Sequence, residues 1–432
     1  MIDSAFFGTE RISRILLKLA PPVMLAQLIQ ALYNIVDSFF VGRYSGDGLT
    51  ALSVGTGVGI NTAMAYFLGI QDKKKADEIA GTSMPLALGM WALFAAVTYF
   101  IMPAYARMST QSEEVIRQVV IYGRIVCVCS IGLFLESGWT KVLQAEGNMN
   151  RPMTAQIIGA VTNIVLDPIL IFGWLGLPAL GITGAAIATF SSRVVEFVIS
   201  LVYALRCKQM PLMPACILRP GKATFRSFVK FSTPVLLNET LWGTGTSLYT
   251  VIMGHMAGST DLISAYTVAG NIDKMVTVAI FGVAAAAAVI VGKEVGMGGK
   301  NAYPIGQALT FVAFCTGFGV AIAEQLLFWL LLRPYVLPLF SMSAVSASLC
   351  VTMMICYSIS APLHAFATTG IVGVLRGGGD VRIAMLIDVL PLWCFTLPLL
   401  VLLGLVLHAP IAIFCIIMGR SGIRAAYATG RG

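Results

Sequence analysis

Charge is scarce in this chain. Asp, Glu, Lys and Arg make up 11% of its 432 residues, against 58% hydrophobic residues and a mean hydropathy of +0.87, whereas a soluble domain carries roughly 25% charged residues. That shortage excludes a water-soluble globular domain. Histidine is nearly absent, and His255, His364 and His408 are too dispersed for a HExxH metalloprotease. No Walker A sequence occurs, so ATP is not expected to drive the protein directly. The nine cysteines show no paired zinc spacing and read as small buried hydrophobes. A cleavable leader is not expected either. Met1 to Ala20 is amphipathic, carries Arg11, Arg14 and Lys18, and lacks the apolar core and small-residue site of a signal peptide. The net charge of +8 is not gathered on a soluble domain, so nucleic acid is not an expected partner and the lipid bilayer is.

Long apolar runs are what the chain does have. A membrane helix needs about 20 mostly apolar residues, and such runs recur, among them 84–104, 275–292 and 383–407, the last interrupted by Asp388. The pattern predicts an all-α, polytopic membrane protein of about twelve spans, at 22–42, 48–69, 82–104, 119–140, 154–173, 183–205, 233–256, 262–292, 303–332, 346–373, 383–407 and 409–428. Most of the 28 Lys and Arg residues fall in alternate loops on the N-terminal side, while the opposite loops hold Arg43, Arg107, Arg117 and Arg333. By the positive-inside rule both termini face the cytosol.

The chain also repeats itself. Leu143-Gln-Ala-Glu-Gly-Asn-Met-Asn-Arg-Pro-Met153 returns as Leu375-Arg-Gly-Gly-Gly-Asp-Val-Arg-Ile-Ala-Met385, and Pro22 has a counterpart in Pro234. Two six-helix halves follow: residues 1–205, a basic cytosolic linker 206–232, and residues 233–432. An even number of helices per half makes the repeats parallel, a plan that holds substrate between the halves. The match exposes a shortening. Val54 to Gly69 is about thirteen residues shorter than the corresponding Val268 to Gly296. The second helix still spans, at 1.5 Å per residue, a core about 30 Å thick.

Several motifs, in order, resemble the multidrug and toxic compound extrusion (MATE) family. They are Pro22 with Asn34-Ile-Val-Asp37 and Phe40-Val-Gly-Arg43, Leu143-Gln-Ala-Glu-Gly-Asn148, Asn163-Ile-Val-Leu-Asp167-Pro168, Gly184-Ala-Ala-Ile-Ala-Thr189, Asn238-Glu239-Thr-Leu-Trp242 and Leu375-Arg-Gly-Gly-Gly-Asp380. The resemblance covers nearly the whole chain. It implies two pseudo-symmetric lobes forming a V, a monomer in the plasma membrane, and cation-coupled export of small organic cations or amphipathic drugs with no cofactor beyond the coupling ion, H+ or Na+. The similarity is greater to the DinF-like branch, whose N-terminal lobe carries the cation site. An acidic residue used in the other branch would fall near Ala365 and is missing.

The residues themselves support a site. Asp37 and Asp167 fall inside predicted spans, where a charged carboxylate costs about 2.5 to 3.5 kcal/mol. Asn163 and Asp167 are four apart and share a helix face, and Pro168 cannot donate an amide to the Ile164 carbonyl. Asp37, Asn163, Asp167 and the Thr189 hydroxyl would make an oxygen cage for Na+, or the two acids could share one proton. Helix capping or interhelical bonding without a cation is the plain alternative. Glu239 and Asn34 are the candidates for the substrate cavity, Glu239 by attraction of a cationic drug and otherwise by a bond to a neighbouring helix. Intraprotein pairing is expected for Asp388, Glu324, Glu196 and Asp273-Lys274, with Arg193 and Arg124 as partners. The run Gly282 to Ala288 should let helices approach closely.

Three rival functions are weaker. A lipid-linked sugar flippase of the same superfamily would need a cationic cavity, and the intramembrane candidates here are mainly acidic. An intramembrane protease would match at Gly377-Gly-Gly-Asp380 alone, at a cytosolic helix end, so no enzyme is expected. A channel has no need of two repeated halves. A member disabled by its short second helix stays an alternative to an active exporter.

Overall fold

The computed structural model describes residues 12–41, 72–109, 130–146, 148–206, 222–256, 258–298, 301–336 and 342–408, with isolated positions between 64 and 125. The predicted spans 48–69 and 409–428 lie almost wholly outside the described residues. So do the side chains of the later part of the first helix.

All regular structure among the described residues is helical. The helices are α1 (Ile12–Val41), α2 (Lys73–Ser109), α3 (Ile131–Ala145), α4 (Asn150–Phe172), α5 (Ile182–Arg206), α6 (Lys222–Gly254), α7 (Ser259–Val276), α8 (Val278–Gly296), α9 (Ala302–Leu327), α10 (Ala344–Thr368) and α11 (Val381–Pro391). Three of them run on through wide π-type turns: α9 to Val336, α10 to Leu375 and α11 to Val406. Seven helical stretches among the described residues are long and apolar enough to cross a bilayer. Their surfaces carry large apolar side chains such as Phe100, Phe311 and Ile359, each more than 60% exposed. In water such a belt would be a liability; in lipid it is the expected exterior.

The helix ends are made by polar chemistry. Asp72 caps α2, accepting from the Lys75 amide at 3.2 Å and pairing with the Lys75 ammonium at 3.1 Å. Those two contacts hold its carboxyl below the usual carboxylate range. The repeated motif is a helix terminus in both copies. After α3 the Glu146 amide donates to the Val142 carbonyl and the Asn148 amide to Leu143; after α10 the Gly378 amide donates to Val374 and the Asp380 amide to Leu375. In the second copy Gly379 takes a φ of +96°, and its amide donates to the Arg376 carbonyl. This is a Schellman stop, which needs the left-handed residue that glycine supplies. The Gly377 to Asp380 pattern is therefore a cap.

Contacts divide the chain into two compact units. One holds Leu25–Leu236; the other runs from Leu237 onward and includes the first part of α1 through Met24. Both boundaries fall two residues after a helical proline, Pro22 in α1 and Pro234 in α6, so the crossing obeys the repeat found in the sequence. In the first unit α4 and α5 form a hairpin closed by the Leu180 and Gly181 amides on the Leu170 and Ile171 carbonyls. Gly184 allows this: a Cβ there would stand 2.4 Å from the Leu170 oxygen. In the second unit the small-residue run does bring helices together. Gly282 makes room for Met24 of α1, and Gly373 and Gly377 rest on Ala284, Ala287 and Ala288 of α8. The span predicted at 262–292 is broken. Its helix stops at Val276 and resumes at Val278, with the Thr277 hydroxyl returning to the Asp273 carbonyl at 2.8 Å.

Candidate functional site

The α4–α5 hairpin brings three of the predicted cation-site residues together. Asn163 and Asp167 are both 0% exposed and lie one turn apart on α4. With the Asn163 amide oriented to satisfy both ends, its nitrogen donates to Asp167 Oδ2 at 2.9 Å and its oxygen accepts from the Thr189 amide of α5 at 3.3 Å. Such an orientation is assigned from the hydrogen-bond network. The Thr189 hydroxyl is buried and has no hydrogen-bond partner among the described residues. Ala185, Ala186 and Ala188 are 0% exposed, and with Gly184 they form the small face that lets α5 lie against α4 at this level. Asp167 is in the last two turns of α4 rather than near the middle of the span. Pro168 follows inside the helix without ending it, which frees the Ile164 carbonyl from its usual bond. The fourth predicted residue, Asp37, and the cavity candidate Asn34 have side chains outside the described residues.

Glu239 is engaged. Its Oε1 accepts from Arg376 Nη1 at 2.7 Å, while Arg376 Nη2 stands 3.8 Å from Asp388 Oδ2. Asn238 donates to the same Asp388 oxygen at 2.9 Å. One guanidinium thus serves two carboxylates in the C-terminal unit. Sequence reasoning assigned Arg376 no role, because its partners lie far away along the chain; the signal was a lone arginine within a glycine-rich helix end. Other expected pairings divide. Arg193 binds Glu196 at 2.7 Å, and Gly159 leaves the space that the Glu196 side chain fills. Arg124 lies over the Tyr99 ring, 4.3 Å from its centroid. Glu324 accepts from Ser358 at 2.8 Å.

A buried carboxylate, a carboxamide and a hydroxyl, at a helix turn that contains a free carbonyl, can hold a small hard cation through oxygen or hold a proton on the acid.

Comparison with known proteins agrees with the repeat. Residues 22–169 and 234–402 each match the MatE family model. The chain is similar to a probable multidrug resistance protein NorM of Thermotoga maritima, 23% identical over 66% of this chain and 64% of that one. It is also similar to a probable multidrug resistance protein YoeA of Bacillus subtilis, 28% identical over 44% of each. The chain thus spans less than two thirds of the length of these two relatives. Its fold matches that of a solved MOP superfamily transporter from Pyrococcus furiosus, with a TM-score of 0.85 and 20% identity over 99% of this chain and 96% of that one. With both halves matched by one family model and the fold shared, the chain belongs to the MatE family of transporters.

Proposed function

We propose that the protein is a secondary active exporter that antiports cationic or amphipathic small molecules against H+ or Na+, by alternating access between its two halves, with both termini in the cytosol of a plasma membrane. The observation that carries this reading is the buried group Asn163, Asp167 and Thr189. An acid inside a membrane helix needs compensating neighbours, and here Asn163 bonds the Asp167 carboxylate while the buried Thr189 hydroxyl lies on the facing helix. Asp37, on α1, is the fourth ligand. Its backbone lies beyond the crossing at Met24, in the part of α1 that belongs to the first unit, as α4 and α5 do.

Exchange needs no further machinery than differential affinity. The cation binds the conformation in which the drug is held weakly, and a ligand shifts an equilibrium only by the difference in its affinity for the two states. Glu239 and Asn34 serve the substrate cavity in this reading. Because Arg376 occupies the Glu239 carboxylate, a cationic drug that reaches it competes with a guanidinium and releases Arg376 toward Asp388.

The test is ethidium movement in proteoliposomes under an imposed proton or sodium gradient. Wild type should transport under one of the two gradients, and Asp167→Asn and Asp37→Asn should each abolish the gradient-driven part while leaving the protein folded. Flux indifferent to both substitutions would overturn the site. Movement of a lipid-linked sugar with no drug flux would identify a flippase instead.

A further inference from the structure

Among the described residues, one fully buried acid within the spans of the C-terminal unit makes no ion pair. Glu324 of α9 is 0% exposed. Its Oε2 accepts from Ser358 of α10 at 2.8 Å, and its Oε1 is buried with no hydrogen-bond partner among the described residues. Asp388 differs, sharing Arg376 with the half-buried Glu239, and so does Glu196 of the N-terminal unit, which has Arg193.

The charges around Glu324 do not repair this. From α7 it faces Asp273, close enough to act on it electrostatically, and Lys274 beside Asp273 is exposed. In α8 the charged residues, Lys293 and Glu294, sit in the last turn. In α10 there is no charged residue, and His364 lies nearly two turns past Ser358, against the Phe281 ring at 6.3 Å. On α9 itself Arg333 covers Trp329 at 4.4 Å. Counted by helix rise, Asp273, Glu324 and Ser358 all lie about 20 Å from the ends at Ser259, Val336 and Ala344, so α7 and α10, with α9 running against both, deliver them to a similar depth. An ionised carboxylate there would face another acid, and a buried group without compensation takes its neutral form.

The hydrogen bonds around Ser358 accommodate two protonation states. Trp329 Nε1 donates to Gln325 Oε1 at 3.0 Å, which fixes the Gln325 amide with its nitrogen toward Ser358 Oγ at 2.7 Å. The single Ser358 hydrogen then has two acceptors, Glu324 Oε2 at 2.8 Å and the Met354 carbonyl at 3.0 Å. With Glu324 ionised, the hydroxyl points at the carboxylate. With Glu324 protonated, the new O–H donates to Ser358 Oγ and the hydroxyl swings to Met354. Every hydrogen is used in either state and no heavy atom moves. The Ser358 O–H is the donor to the acid, and behind it stand the Gln325 and Trp329 N–H groups rather than further free oxygens, which disfavours a metal cation.

We propose that Glu324 is a proton-binding site of the C-terminal unit, with Ser358 as the hydroxyl that re-aims between Glu324 and Met354 as the carboxyl gains and loses H+. The site is separate from the Asn163, Asp167 and Thr189 group, and it does not depend on which ion couples to export.

Infrared difference spectra of the full chain in lipid, recorded as pH is stepped with and without Na+, test it. A protonated-carboxyl C=O band should titrate in wild type, vanish in Glu324→Gln, persist in Asp167→Asn, and titrate with a displaced midpoint in Ser358→Ala. Should Glu324→Gln fail to yield monodisperse protein, Glu324→Asp should shift the band in frequency. The inference is overturned if Glu324→Gln leaves every titrating band in place, if Glu324→Asp leaves the band unmoved, if the Glu324 band persists at all pH values, or if Na+ removes it at fixed pH. Loss of a different band in Asp167→Asn bears on the N-terminal site alone.

Discussion

Arg376 is 3% exposed and shared by Glu239 and Asp388, so its removal leaves two acids facing each other in the C-terminal unit. Breaking a buried ion pair by deleting one partner costs about 3 to 5 kcal/mol, whereas neutralising the whole group is often tolerated. Arg376→Met should therefore lose stability on that scale, and Arg376→Met with Glu239→Gln and Asp388→Asn should regain most of it. Denaturation midpoints of the three proteins in detergent check this; a single variant as stable as wild type would mean that the pair contributes nothing. Pairing of Asp388, and a bond from Glu239 to a neighbouring helix, were legible in the sequence, but Arg376 as their shared partner was not. Glu239 and Arg376 are 137 positions apart, and a single sequence carries no signal that couples them. Asn163 and Asp167 were legible because a spacing of four is a statement about one helix face. Thr189 stood out in the sequence by its hydroxyl, and only the hairpin geometry shows that its amide donates to the Asn163 oxygen.

At the scale of the element, close packing separates glycines that the sequence cannot tell apart. On α9, a Cβ at Gly317 would stand 2.4 Å from the Pro362 Cα and 2.8 Å from the Ala361 carbonyl, while one at Gly319 would meet nothing within 4 Å. Backbone neighbours cannot step aside as a side-chain tip can. Gly317→Ala should force α9 away from α10 at a cost of about 1 to 3 kcal/mol, the usual range for overpacking. Gly319→Ala should be neutral or gain up to about 1 kcal/mol from helix propensity. Thermal unfolding of the two single variants separates these outcomes, and equal effects would mean that the α9–α10 contact is looser than described. The element boundaries show the same limit of sequence reading. Long apolar runs located the spans because length and hydropathy alone decide insertion. The break at Thr277 was missed because apolar residues continue on both sides of it, and a threonine hydroxyl returning to the Asp273 carbonyl leaves no trace in hydropathy.

For the whole molecule, the repeat is the strongest constraint. The chain crosses between its compact units two residues after Pro22 and again two residues after Pro234, and the Leu143 and Leu375 helix ends are closed by matching bonds. A shortening on one side therefore has a defined reference on the other. The C-terminal counterpart of the second span is the broken segment of α7 and α8, which carries Asp273 just before its break and the small face that receives Gly373 and Gly377 just after it. The N-terminal copy lacks about thirteen of the corresponding residues, enough for more than three helical turns. Those turns should be dispensable for folding, since the Asn163, Asp167 and Thr189 group rests on α4 and α5, but should speed the transport cycle, since a span with no overhang has less surface to rearrange against. Restoring about thirteen apolar residues after Val54 should leave the denaturation midpoint close to that of wild type and raise gradient-driven ethidium flux. The same restored chain carrying Asp167→Asn should stay silent. Equal flux with and without the added turns would show that the short helix is a complete one, and the segment of its repeat partner beyond the break would then serve the C-terminal unit alone.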